Sequence, residues 1–318
     1  MALNALPGRV PVDTHQAGLF VLGAAQIGGL YSAVDEATAH DTLQAAWDLG
    51  VRRFDTAPHY GAGLSERRLG AFLQNLPRDS FILSTKVGRL LVDTDEDTEG
   101  VASFYGGDRK RRVFDYSADG VRCSLEESLQ RLGLDRIDIA LIHDPDEHMD
   151  QAVGAAYPAL HELRRQGVLA SVGAGMNHTA PLTRIVCETD VDTVMLAGRY
   201  TLLDRSAEIE LLPACVDRGV SVIAAGVFNS GLLADPKPGA TYDYAEAPTE
   251  VLARARQMQA ACARYGVPLR AAALQFALAH PAVKTVAVGV RTAAQVRDNL
   301  DLLQHSVDPA LWEELATI

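Results

Sequence analysis

Short apolar runs and amphipathic stretches alternate eight times along this chain, and that alternation restricts the fold more than any other property of the sequence. The apolar runs are Leu19–Gly23, Val51–Phe54, Phe81–Thr85, Ile137–Ile142, Val168–Val172, Thr193–Leu196, Val220–Ala225 and Thr285–Val288. Near-continuous hydrophobicity over so few residues predicts strands buried on both faces, as in a parallel sheet. Helices are predicted between them, over Asp35–Leu49, Ser65–Gln74, Ala118–Leu132, Gln151–Gln166, Thr179–Glu188, Ala207–Arg218, Glu250–Tyr265 with Leu269–Ala279, and finally Ala293–Leu303. Gly50, Gly133, Gly167 and Gly219 stop four of them, and Thr292 with Gln295 has the spacing of a capping box. Parallel neighbours need crossovers of this kind. Eight β-then-α repeats in 318 residues fit one closed (β/α)8 barrel, the TIM barrel, as a single domain over residues 1–318. A doubly wound open sheet is the runner-up, but its glycine fingerprint would follow the first strand, and Gly23 to Gly29 does not spell G-x-G-x-x-G.

Three of the apolar runs deliver ionisable residues at the same end. Val51–Phe54 breaks into Asp55-Thr56-Ala57-Pro58-His59-Tyr60-Gly61, Phe81–Thr85 leads to Lys86, and Ile137–Ile142 leads to His143. Packing does not account for this, and the carboxyl ends of barrel strands are where sites are built. A free phenol has a pKa near about 10 and is a poor base at neutral pH. Lys86, one strand away, can make Tyr60 more acidic, since an opposite charge within about 4–6 Å moves a pKa by roughly 1–3. Asp55 gives the ammonium a partner, and His143 can hydrogen-bond and orient a reacting oxygen. The four residues form a proton relay without a nucleophile. No G-x-S-x-G elbow is present, which removes acyl transfer. No cluster has metal-ligand spacing, so no metal is expected.

The rest of the composition narrows the partners. An apolar share of 48% with 22% charged residues suits a globular protein with a sizeable core. A net charge of −12 argues against nucleic acid or an anionic membrane surface as partner. The basic run Arg109-Lys110-Arg111-Arg112 reads as a solvated loop. It lies in a long polar connection, Asp93 to Tyr116, of the kind that serves as a lid or a mobile segment. Cys123, Cys187, Cys215 and Cys262 fall in predicted helices with no pairing motif. Met1 to Pro11 lacks a leader pattern and no run reaches membrane-span length, so a cytoplasmic location is expected. Nothing specifies an oligomeric state.

The segments Asp55-Thr56-Ala57-x-x-Tyr60-Gly61 with Ser65-Glu66, Ser84-Thr85-Lys86-Val87-Gly88 and Leu141-Ile142-His143-Asp144 resemble the signatures of the aldo-keto reductase superfamily, a likeness that covers nearly the whole chain. Leu196-Ala197-Gly198-Arg199-Tyr200-Thr201-Leu202-Leu203 and the run from Ala224 to Leu233 resemble its aldose 1-dehydrogenase branch, which includes L-fucose, D-threo-aldose and L-galactose dehydrogenases. The resemblance implies a barrel that binds NAD(P) across the strand ends and uses Asp55, Tyr60, Lys86 and His143 as a catalytic tetrad. It places Met176 and Asn177 at the carboxamide, and Phe228, Asn229, Ser230, Gly231 and Leu232 in the pyrophosphate loop, where backbone amides meet phosphate. Gly289, Val290, Arg291, Gln295 and Asn299 match the adenosine segment.

Three departures stand out. Ala197 replaces a glutamine that many members aim at the carboxamide, and Ala225 replaces an aromatic stacked on the nicotinamide. Gly289, Val290 and Gln295 stand where NADP-preferring members carry Lys, Ser and Arg, leaving Arg291 as the sole cation; the lean is to NAD, with NADP open. The implied reaction oxidises the anomeric C1 hydroxyl of an aldose to the aldonolactone, with His59 and Asp144 as substrate contacts or, equally, as loop hydrogen-bonders. Two rivals stay open: a general aldehyde or pyridoxal-type redox enzyme, and a non-catalytic nicotinamide-binding sensor or regulatory subunit.

Overall fold

In the computed structural model the described residues are 16–243 and 245–318; Met1–Pro11, read above as lacking a leader, lies outside them. Eight strands close into one barrel: β1 (Phe20–Gly23), β2 (Arg53–Asp55), β3 (Ile82–Val87), β4 (Ile139–His143), β5 (Ser171–Met176), β6 (Thr193–Ala197), β7 (Ser221–Ala225) and β8 (Val283–Gly289). They follow one another round the ring in chain order, all parallel, and β8 pairs back to β1.

The predicted order holds, but several strand boundaries lie further along the chain than the apolar runs. Asp55, Lys86 and His143 are strand residues rather than the first residues of loops, and their backbones pair with Ser84, Leu141 and Gly175. A ladder position leaves a side chain only two directions. The largest shift is in β5, which begins at Ser171 instead of Val168. Val168 and Leu169 instead donate their amides to Leu163 and close the preceding helix. Gly173 and Gly175, which read as loop punctuation, are inside the strand. At Gly173 there is no room for anything larger, because a Cβ would lie 1.6 Å from the carbonyl oxygen of Thr193.

Proline explains two helix corrections. The helix predicted over 151–166 starts at Met149 and carries a π turn at Ala152–Ala156, just ahead of Pro158, which has no N–H to give the ladder. The one predicted over 207–218 runs only from Leu211 to Arg218, because Pro213 is tolerated within a first turn and not further in. Two further helices are present at Gln16–Leu19 and Pro309–Thr317. No helix among the described residues is long and apolar enough to cross a membrane.

The connection after β3 is not irregular. Arg89–Asp93 pairs antiparallel with Lys110–Phe114 in a hairpin laid against the barrel mouth. The basic run therefore lies partly on a strand, and alternation sorts it. Arg109 and Arg111 are exposed, while Lys110 pairs with Asp93 and the Arg112 guanidinium donates to the His59 carbonyl. This corrects the reading of a uniformly solvated loop.

The same alternation builds the floor of the site. Val21, Leu141, Met195, Ile223 and Ala287 fill the barrel interior. Two residues further on along the strands, the inward positions are Asp55, Lys86 and His143 on β2 to β4, and Gly23, Gly175, Ala197, Ala225 and Gly289 on the other five, all lining one cleft. One side of the ring carries charge. The other carries almost no side chain, and the space above it amounts to about 800 Å³.

Candidate active site

Lys86 is the centre of the charged side. Its Nζ donates to Asp55 Oδ2 at 2.7 Å and to the Thr56 carbonyl at 3.0 Å, and Ser84 Oγ donates to Asp55 Oδ1 at 2.7 Å. Lys86 and Asp55 are each only 2% exposed. A charge this deep persists when it is both paired and hydrogen-bonded. Burial works against the Lys86 ammonium, but Asp55 and Tyr60 outweigh it, and its pKa is raised.

Tyr60 lies half-buried over this pair, with Nζ 4.6 Å from the ring centroid. Its ring stacks on Phe104, centroids 5.9 Å apart, and meets the edge of His143 at 6.0 Å. Burial against these rings pushes the phenol pKa up, Lys86 pulls it down, Asp55 adds to the upward push, and the net direction is upward. The expectation that Lys86 makes Tyr60 acidic is corrected on this point. The cation is in place and pulls the pKa down, but burial of the phenol outweighs it.

The two imidazoles are neutral. Burial first, then the Arg89 and Arg112 charges, lowers His59 to about 2, and burial with Arg89 and Lys86 holds His143 well below its usual value. A histidine whose pKa is lower folded than unfolded stabilises the fold above about pH 6.5 and loses that contribution as pH falls, at about 1.4 kcal/mol per unit. Urea unfolding between pH 7.5 and 5 should therefore show a steep acid loss, with His59 alone supplying about 2 kcal/mol at pH 5. His59→Asn should flatten the profile by that amount, and an unchanged slope would remove His59 from the account.

Beyond the four relay residues, the structure brings most of the predicted cofactor set to the cleft. Met176, Asn177, Phe228, Asn229, Ser230, Gly231, Gly289, Arg291, Gln295 and Asn299 line it, as do His59 and Asp144. Leu232 and Val290 do not; both are wholly buried in the apolar core behind the wall. The loop after β7 is also less open than expected. The amides of Asn229, Gly231 and Leu232 already donate to the carbonyls of Gly226, Phe228 and Asn229, because the segment is a tight 3-10 turn.

At the adenosine end, the Arg291 guanidinium donates to the Leu30 carbonyl at 2.6 Å and to the Ser32 hydroxyl. Gln295 is occupied too. Its amide takes the Thr292 cap as predicted, while its side-chain oxygen accepts from the Arg291 amide at 2.8 Å. Two acceptors on the cleft wall, Gln26 Oε1 and Asn229 Oδ1, are buried without a hydrogen-bond partner among the described residues. Buried acceptors of this kind need donors. The ribose hydroxyls and carboxamide of a dinucleotide supply them, so the cleft fits such a cofactor.

Sequence reasoning missed several residues around the site. Arg270 lines the cleft paired with Asp298, and Arg199 donates to the Asn177 carbonyl at 2.9 Å. Phe104 belongs to the connection Asp93 to Tyr116 read as a lid or mobile segment, and Arg89 lies just ahead of it. Asp93 and Lys110 face each other across the hairpin, but neither arm, Arg89–Asp93 or Lys110–Phe114, alternates polar and apolar residues, so no sequence signal marked it. The pair Ser65-Glu66 proves structural: Glu66 is buried, accepts from Thr85 Oγ1 and is bridged by Arg131 at 2.6 Å.

Known proteins are similar to this chain along most of its length. Residues 20–318 match the Aldo/keto reductase family. The chain is 46% identical over 307 residues to a D-threo-aldose 1-dehydrogenase of a Pseudomonas species, covering 92% of each. It is 40% identical over 314 residues to the pyridoxal 4-dehydrogenase of Microbacterium luteolum, again over 92% of each. Among solved structures, the holo form of an aldo-keto reductase from Bacillus halodurans superposes with a TM-score of 0.75 at 25% identity, covering 94% of this chain and 91% of that one. By its closed barrel, its cleft and these matches, the chain belongs to the aldo/keto reductase family, oxidoreductases that work with NAD(P)H.

Proposed function

We propose that this protein oxidises the anomeric C1 hydroxyl of an aldose to the aldonolactone, with Asp55, Tyr60, Lys86 and His143 as its catalytic tetrad. The observation that carries the reading is Lys86, clamped to Asp55 at 2.7 Å and lying 4.6 Å from the Tyr60 ring at the floor of a cleft open to substrate. The D-threo-aldose relative supports the choice of substrate class. When bound, the nicotinamide dinucleotide accepts the C1 hydride.

The remaining work belongs to the protein. Neutral His143 holds the reacting oxygen by a hydrogen bond, and Tyr60 takes the hydroxyl proton. Lys86 stabilises the phenolate that must form first, and Asp55 keeps Lys86 in place. Because the phenol pKa is raised, Tyr60 is ready as an acid for aldehyde reduction, while oxidation speeds up as pH rises. Met176 and Asn177 would hold the carboxamide, with the Asn177 backbone steadied by Arg199. Both cations near the adenosine end, Arg291 and Arg270, are already committed to Leu30, Ser32 and Asp298, which favours NAD over a 2′-phosphorylated cofactor.

A pyridoxal dehydrogenase is the second reading, favoured by the Microbacterium relative. A panel of L-fucose, D-arabinose, L-galactose and pyridoxal with NAD and NADP separates the two. A sugar should lead in kcat/KM, with NAD preferred by about tenfold or more, roughly 1.4 kcal/mol. Turnover of pyridoxal alone would establish the second reading, and cofactor binding without turnover of any of these would point to a sensor.

A further inference from the structure

We infer that Asp144, held by Arg89, is a charge filter that admits neutral hydroxylated aldehydes and turns away those bearing a phosphate or carboxylate close to the reacting carbon. The inference rests on the catalytic reading above and deepens it by naming the class of substrate. Asp144 follows His143 directly at the end of β4 and lines the cleft, its Oδ2 3.6 Å from His143 Nε2. Its carboxylate thus borders the place proposed for the reacting oxygen.

The backbone there is left-handed, with φ at 41°. Most side chains avoid that conformation, and Asp and Asn tolerate it best. Three contacts hold it. The Asp144 amide donates to the Gly175 carbonyl at 3.0 Å, Tyr116 Oη donates to its carbonyl at 3.0 Å, and Arg89 Nη2 donates to Oδ2 at 2.6 Å. The backbone is fixed at its amide and its carbonyl, and the carboxylate is held at one oxygen by Arg89.

Arg89 comes from the hairpin rather than the barrel, lies 5.3 Å over the Phe114 ring and is 14% exposed. It is paired with Asp144 and, unlike that carboxylate, does not line the cleft, although its field reaches His59 and His143. Arg112, on the facing strand, is turned to the His59 carbonyl. Asp144 Oδ1 takes no hydrogen bond among the described residues, so it can accept from hydroxyls beside the reacting carbon. An anion in that place meets the carboxylate ahead of the guanidinium paired with it, because Asp144 lines the cleft and Arg89 does not.

Reduction of D-glyceraldehyde and of D-glyceraldehyde 3-phosphate by the full chain with NADH tests this. Wild type should favour the neutral aldehyde. Asp144→Asn keeps a residue suited to the left-handed turn and removes the charge, so the ratio of kcat/KM for phosphate over neutral substrate should rise about tenfold, mostly in KM. Asp144→Ser, read in parallel, should move it the same way. Arg89→Gln leaves the carboxylate uncompensated and should lower the ratio. Opposite signs distinguish a filter from damage to the fold, which slows both substrates alike. Ratios that stay within about twofold, or that move together in all variants, overturn the filter alone. A wild type that reduces neither aldehyde and oxidises no aldose overturns the proposed function and the filter with it.

Discussion

Tyr60→Phe should lower kcat by about 10²–10⁴-fold while leaving NAD affinity within about twofold. The substitution removes one hydroxyl and keeps the ring. The phenyl group left behind would still stack on Phe104 and meet His143, and Lys86 would still be paired with Asp55, so the floor of the cleft is preserved. What disappears is the atom that carries the proton. Stopped-flow or steady-state turnover, set beside cofactor binding by fluorescence quenching, separates the two effects. A variant with near-normal kcat would remove Tyr60 from the chemistry, and one that no longer binds NAD would make its role structural.

Lys86→Met should destabilise the protein by about 3–5 kcal/mol as well as slow it, because it strands a buried carboxylate. Asp55 is 2% exposed and its Oδ2 has its ion pair only with Lys86 among the described residues. The companion double variant Asp55→Asn with Lys86→Met should recover much of the stability and none of the activity, which distinguishes a broken ion pair from a lost cavity filler. The pH profile carries the electrostatic part. Lys86 favours the charged phenolate, so its removal raises the Tyr60 pKa further. The alkaline limb of oxidation then moves to higher pH. Urea unfolding and kcat against pH read the two effects independently, and a limb that stays in place would show that Lys86 does not act through Tyr60.

How much of this was legible depends on which force positions each residue. Asp55, Lys86 and His143 could be read because each interrupts an apolar pattern whose cause is burial, so the exception stands out. Their strand boundaries were less legible, since hydrophobicity marks where a strand is buried and not where its ladder ends. Gly173 misled for the same reason: a glycine demanded by close contact with the Thr193 carbonyl looks in sequence like a glycine demanded by a turn. Arg89 and Phe104 were not legible, because their partners are Asp144 and Tyr60, 55 positions downstream and on a different element respectively. The net direction of the Tyr60 pKa was out of reach for a further reason. It is a difference between burial, which raises it, and the attraction of Lys86, which lowers it, and only the depth of the ring and the distances decide the sign.

The hairpin from Arg89 to Phe114 lies outside the closed ring of paired strands, yet it contributes Arg89 and Arg112 and leads by Tyr116 into the wall beside the cleft. Asp55, Lys86 and His143 therefore stand on the ring itself, while the groups that brace Asp144 and His59 come from the appended flap. A substitution in that flap can reach the mouth of the cleft without moving any stave that carries Asp55, Lys86 or His143.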